Sequence, residues 1–147
     1  MQRRTFLIGT AALLVLRIPA FAAGPISATL YKDPSCGCCS AYADYLQAHG
    51  FAIEVVETPE FAEIGHKAGL PESLAGCHTL VIDGYVVSGH VPVEMVRKLL
   101  NERPAIAGIT LAGMPAGSPG MGGDKSAPFV IHAFTNDGKA PTLYATL

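Results

Sequence analysis

Apolar and polar residues follow two different periods along this chain, and the switches between them mark its elements. Ile26 to Tyr31 is β-branched and aromatic and ends at Asp33-Pro34, which predicts a short strand. From Cys38 the period lengthens: Tyr42, Tyr45, Leu46 and His49 fall at offsets of three and four, and Gly50 closes a helix. Phe51 to Glu57, rich in Val and Ile, predicts a second strand. Thr58-Pro59-Glu60 has the form of an N-cap followed by proline at the first helical position. That helix carries Phe61, Ile64 and Ala68 on one side until Gly69-Leu70-Pro71 stops it. Thr79 to Ile82 predicts a buried strand, Asp83-Gly84 a hairpin turn, and Tyr85 to Val87 the partner strand. Val91-Pro92 then opens a helix with Val93, Val96, Leu99 and Leu100 on one face, ending before Pro104. Residues 108–128 hold six glycines and three prolines and are expected to be loop throughout. Phe129 to Phe134 and Thr142 to Thr146 predict a last hairpin across Asn136-Asp137-Gly138. No segment repeats.

Strand, helix, strand, helix, hairpin, helix is the order of a thioredoxin fold. The expected class is α/β: a thioredoxin-like mixed sheet flanked by helices, followed by a Gly/Pro/Met-rich loop and a final hairpin. The first 22 residues stand outside it. Arg3-Arg4-Thr5-Phe6-Leu7 precedes an apolar run from Ile8 to Leu16, and Ala20-Phe21-Ala22 places small residues where a signal peptidase reads. The paired arginines resemble a twin-arginine export signal. The run is too short to cross ~30 Å of hydrocarbon, so cleavage near Ala22, a periplasmic mature chain and no stable membrane insertion are expected. A single domain then covers residues 23–147.

Loss of Arg3, Arg4 and Arg17 leaves seven basic residues against twelve acidic ones, a net charge of −5. The remaining cations are scattered, which disfavours nucleic acid as a partner, since phosphate binding needs them clustered.

Three of the four cysteines lie in Cys36-Gly37-Cys38-Cys39, at the predicted end of a strand and start of a helix. A helix N-terminus favours the thiolate, the form that both attacks disulfides and ligates metal. Cys36 and Cys39 keep the Cys-x-x-Cys frame of a thiol–disulfide oxidoreductase and are the redox pair if there is one. Cys38 adds a third sulfur, which suits a soft-metal site better than a redox site. Further along, Cys77-His78-Thr79 places His78 where a thioredoxin carries its cis-proline beside the active cysteines. Cys77 should therefore lie next to the first cluster. Thiolate with imidazole suits copper or zinc, and thiolate-rich sites favour Cu(I).

His90, in Ser88-Gly89-His90-Val91-Pro92, follows the hairpin and is a further candidate as a ligand or as its support. Met114 and Met121 sit seven residues apart in the Gly/Pro-rich loop. Thioethers hold Cu(I) well and zinc poorly, so they favour copper; the alternative is that they fill surface gaps. His49, His66 and His132 lack supporting spacing, although His132 could approach the site from the last hairpin. Three readings stay open on the residues alone: a copper-binding protein, an oxidoreductase using Cys36 and Cys39, and a zinc-binding structural module with three thiolates and one histidine.

Asp33-Pro34-Ser35-Cys36-Gly37-Cys38-Cys39, Gly76-Cys77-His78-Thr79, Gly89-His90-Val91-Pro92 and the loop from Gly113-Met114-Pro115 to Gly120-Met121 together resemble the CopG-type copper-resistance proteins, over about residues 26–123. Cys-x-Cys-Cys alone would not be specific; the four motifs in this order are. The resemblance implies a thioredoxin-like, periplasmic copper-binding protein working beside copper efflux and oxidation systems. It also implies a cysteine-bridged site for several Cu(I) ions and interconversion of Cu(I) and Cu(II). Carried over by position, the implied ligands are Cys36, Cys38, Cys39, Cys77 and His90, then His78, with the methionines Met114 and Met121 less tightly matched.

Overall fold

The computed structural model describes residues 24–147, so the expected export signal lies outside the described residues. The chain runs β1 (Ile26–Lys32), α1 (Gly37–Ala48), β2 (Phe51–Glu57), α2 (Phe61–Lys67), a single 3₁₀ turn (Glu72–Leu74), β3 (His78–Ile82), β4 (Tyr85–Ser88), α3 (Val93–Glu102), β5 (Gly108–Thr110), β6 (Val130–Phe134) and β7 (Thr142–Thr146). Among the described residues all seven strands form one mixed sheet in the order β2-β1-β3-β4-β5-β6-β7. β1 is parallel to β2 and antiparallel to β3, so the first strand lies inside the sheet with the loop carrying Cys36 at its end.

Alternation along the strands sorts the core into two faces. Leu30, Leu80, Val87, Ile109 and Ile131 pack with Tyr42, Ala43 and Leu46 of α1 and Val93, Val96 and Leu99 of α3. Val86 and Phe134 pack on the other face with Leu70, beyond the end of α2. Residues of α3 that recur at three and four positions supply the buried stripe, as its sequence predicts. At Asp83-Gly84 both residues take positive φ, 47° and 83°, which is the hairpin turn whose twist matches its strands. Among the described residues no helix is long and apolar enough to cross a membrane.

Two local expectations are corrected. α2 begins at Phe61, not after a Thr58 cap; the Thr58 hydroxyl instead accepts from the Glu60 amide at 3.2 Å within a preceding turn, and Glu60 is the N-cap. The segment 108–128 is not loop throughout, because Gly108–Thr110 forms β5, parallel to β4 and antiparallel to β6. Gly108 reads as a loop signal, yet it serves close packing: a Cβ there would lie 1.9 Å from the Val86 carbonyl oxygen. β5 thereby extends the sheet and anchors the start of the methionine loop.

Candidate metal centre

The cysteine loop is shaped by its own backbone. The Asp33 carboxylate accepts from the Ser35 amide at 2.8 Å and from the Ser35 hydroxyl, and the Cys36 amide donates to the Asp33 carbonyl at 3.0 Å. Those bonds from Ser35, the hydroxyl first, hold the Asp33 carboxyl below the usual carboxylate range. Cys36 is the N-cap of α1, its sulfur accepting from the Cys39 amide at 3.3 Å. Cys36 and Cys39 are joined in a disulfide, whereas Cys38 and Cys77 are free thiols.

Cys77 reaches this loop from β3 because its neighbours fix the backbone on both sides. The buried Ser88 hydroxyl accepts from the Gly76 amide at 2.9 Å and donates to the His78 carbonyl at 3.2 Å. The Thr110 hydroxyl donates to the Leu74 carbonyl at 2.7 Å. Gly76 crosses Gly89 so closely that a Cβ on Gly76 would sit 2.6 Å from the Gly89 backbone. That crossing brings His90 beside Cys77. Tyr42 and Tyr45 hold the same segment against α1, the first donating to the Val91 carbonyl at 2.8 Å and the second accepting from the Val93 amide at 3.0 Å.

The result is a cluster centred on the Cys77 sulfur. It lies 3.2 Å from the Cys39 sulfur, 3.9 Å from the Cys38 sulfur, 3.3 Å from His90 Nε2 and 3.7 Å from His78 Nδ1. Cys38 in turn lies 3.5 Å from the Cys36 sulfur. Two overlapping donor groups result: Cys36, Cys38, Cys39 and Cys77, and Cys39, Cys77, His78 and His90, each with all its ligand atoms within 4.8 Å of one another. Cys39 and Cys77 belong to both, which is the arrangement a bridging sulfur needs.

Burial sets the protonation of these donors. The Cys77 thiol is pushed up to about 12, by burial first and then by Cys38, so it is neutral at pH 7 and a metal must displace its proton. At the helix start itself, Cys36 and Cys39 are held in the disulfide and so carry no thiolate in this state. His78 is fully buried, stacks on the Tyr42 ring at 4.8 Å between centroids, and is pushed down to about 3 by desolvation and then by His90. Its Nε2 has no hydrogen-bond partner, a costly state for a buried polar atom. Burial also lowers His90, while the Pro119 carbonyl bonded to its Nδ1 at 2.6 Å acts the other way.

Met114 is exposed, and Met121 is half-buried directly after Gly120. His49 Nδ1 and His66 Nδ1 pair with the carbonyls of Tyr45 and Leu70. His132 is half-buried on β6 opposite Thr110, with its Nδ1 unpartnered. Ser88, Thr110, Tyr42 and the Pro119 carbonyl were not foreseen from the sequence. The Gly76 and Gly89 pair, each directly beside a candidate site segment, was the signal that two backbones meet there.

The family described as "Protein of unknown function, DUF411" matches residues 74–121, which span Cys77, His78, His90 and both loop methionines. Two solved structures, "Copper resistance protein copG- Form 2" and "Copper resistance protein copG- Form 1", match with TM-scores of 0.76 and 0.75. Each is 35% identical, over 84% of this chain and 98% of theirs. The chain belongs to the CopG family. No curated protein matches it. Membership accounts for the shared sheet and three helices, and the 98% coverage means that this chain spans nearly the whole of each CopG structure it resembles.

Proposed function

We propose that the exported chain is a periplasmic copper-binding protein of copper resistance, holding Cu(I) in a cysteine-bridged site for more than one ion. One observation carries this reading: the sulfurs of Cys38, Cys39 and Cys77 and the imidazoles of His78 and His90 converge, with Cys36 adjoining, and two sulfurs are common to both donor groups. Soft thiolates select Cu(I), and imidazole tolerates Cu(II) as well as Cu(I). The strand order β2-β1-β3-β4 supports the thioredoxin-like reading of the scaffold. Met114 and Met121 are proposed as weaker thioether ligands at the loop, and copper efflux and oxidation proteins as the exchange partners.

The Cys36–Cys39 disulfide supports a role in interconverting the ion. As a dithiolate, that pair would give one electron to each of two Cu(II) ions, forming the S–S bond and leaving two Cu(I). An external dithiol would restore the thiolates by exchange and leave as its own disulfide, and the reverse of the copper step, in which two Cu(I) each give one electron to the S–S bond, would return two Cu(II). A plain thiol–disulfide oxidoreductase would use the same pair, and a zinc-binding module would take three thiolates with one histidine.

An anaerobic Cu(I) titration of two forms of the protein tests the proposal. Unfolded in urea, the chain should present two free thiols before reduction and four after it. The reduced form should take up more than one Cu(I) per chain and the disulfide form distinctly less. Uptake should weaken as pH falls, by roughly tenfold per pH unit for each thiol proton displaced. Binding of less than one equivalent by the reduced form, binding indifferent to Cys38→Ser, or zinc held in preference to Cu(I) would overturn it.

A further inference from the structure

His90 needs one particular orientation to serve as a ligand, and the residues that impose it come from the loop read above as a source of thioethers. Its imidazole is fully buried, with Nε2 3.3 Å from the Cys77 sulfur and Nδ1 2.6 Å from the Pro119 carbonyl oxygen. A carbonyl can only accept, so Nδ1 carries the proton and Nε2 keeps its lone pair toward the cluster. The next residue, Gly120, lies flat on α1 with φ +78°: a Cβ there would sit 2.7 Å from the Tyr42 amide nitrogen and 3.1 Å from the Cys38 carbonyl oxygen. The loop therefore touches both arms of the site at consecutive residues. Internal bonds keep it rigid: the buried Ser118 hydroxyl donates to the Pro115 carbonyl at 2.7 Å, and the Met121 amide to the Ser118 carbonyl at 2.9 Å.

We propose that residues 115–121 are a positioning latch, in which Gly120 seats the loop on α1 and the Pro119 carbonyl fixes His90 in the tautomer that aims Nε2 at Cys77. Its purpose rests on the copper reading; its geometry does not. Outer partners of this kind orient imidazole ligands and sharpen their basicity, and their loss costs about 10- to 100-fold in metal affinity. The latch also explains why this stretch needs glycine next to proline. Only residue 120 without a Cβ can approach α1 closely enough to bring the preceding carbonyl to His90.

The test has a metal-free and a metal-loaded arm. In the metal-free disulfide protein, ¹⁵N-resolved imidazole spectra should show His90 protonated on Nδ1 in a single tautomer. Gly120→Ala should mix or invert the tautomers and lower Cu(I) affinity of the reduced protein by about 10- to 100-fold. Gly122→Ala, at a position where a Cβ meets nothing within 4 Å, should change neither. Ser118→Ala offers a gentler loosening, with a smaller shift in the same direction, should Gly120→Ala fail to fold. A wild-type His90 carrying its proton on Nε2 overturns the latch. So does a folded Gly120→Ala chain with unchanged tautomer and affinity. Failure of the copper reading is distinguishable, because a wild-type chain that binds no Cu(I) refutes that reading while the metal-free spectra still decide the latch.

Discussion

Cys77→Ser is expected to reduce Cu(I) affinity more than any other single substitution, beyond the roughly 10- to 100-fold typical of an outer-shell loss, and to lower the number of ions held. Cys77 is the hub of the cluster. Its sulfur approaches Cys38, Cys39, His78 and His90 within 3.2–3.9 Å and belongs to both donor groups, whereas Cys36 belongs to the four-cysteine group alone. Serine keeps the shape but replaces a soft, shareable sulfur with a hard oxygen that Cu(I) binds poorly. The loss should therefore exceed that of Cys36→Ser. Stability should hardly move, because Cys77 is a free thiol outside the Cys36–Cys39 disulfide and the bonds from Ser88 and Thr110 act on backbone groups. Competition titration against a chromophoric Cu(I) chelator, with urea unfolding as the fold control, measures both. A Cys77→Ser chain that competes as well as wild type would remove the bridging role.

The second large effect is on acid stability. In the folded metal-free chain His78 is pushed down to about 3, by burial and then by His90, whereas an unfolded chain would protonate it at the ordinary histidine value of 6.5. Between these values the unfolded state binds the extra proton. The stability from neutral, buried His78 is complete above about pH 6.5 and falls with pH until the folded pKa is passed, by up to a few kcal/mol. His90, lowered for the same first reason, adds to the loss. Carboxylates with lowered pKa, such as Asp33 and Asp137, act only below about pH 4, so the interval from 6.5 to 4.5 isolates the histidines. His78→Phe keeps a ring against Tyr42 and removes the unpartnered Nε2. Its stability at pH 7.5 should stay within about 1 kcal/mol of wild type, and its slope against pH in that interval should fall by close to one proton. Urea midpoints across the interval provide the comparison, and an unaltered slope would contradict the burial argument.

Much of this architecture is legible in the sequence because it rests on local signals. The period switches at Asp33-Pro34 and Gly50, the Asp83-Gly84 turn and the apolar stripe of α3 each depend on a few adjacent residues. The meeting of Cys77 with the first cysteines was readable only through a fold assumption, since nothing local joins residues so far apart. Where glycine had two meanings, the sequence misled: Gly108 permits close sheet packing rather than a loop, and Thr58-Pro59 makes a turn ahead of α2 rather than its cap. The supports from Ser88, Thr110 and the Pro119 carbonyl were invisible because they act through backbone atoms, which no residue pattern records. Protonation was equally hidden. The Cys77 thiol is pushed up by how deeply the folded chain encloses it, a depth that no local residue pattern records.

The most direct test of copper held by bridging sulfur is X-ray absorption at the copper K edge on the reduced protein loaded anaerobically, with the metal-to-protein ratio measured on the same sample. The cluster geometry predicts a Cu(I) edge, first-shell scattering dominated by sulfur with a smaller nitrogen contribution, a copper–copper vector from shared thiolates, and more than one copper per chain. A first shell of nitrogen and oxygen, or a single ion with no neighbouring metal, would contradict it.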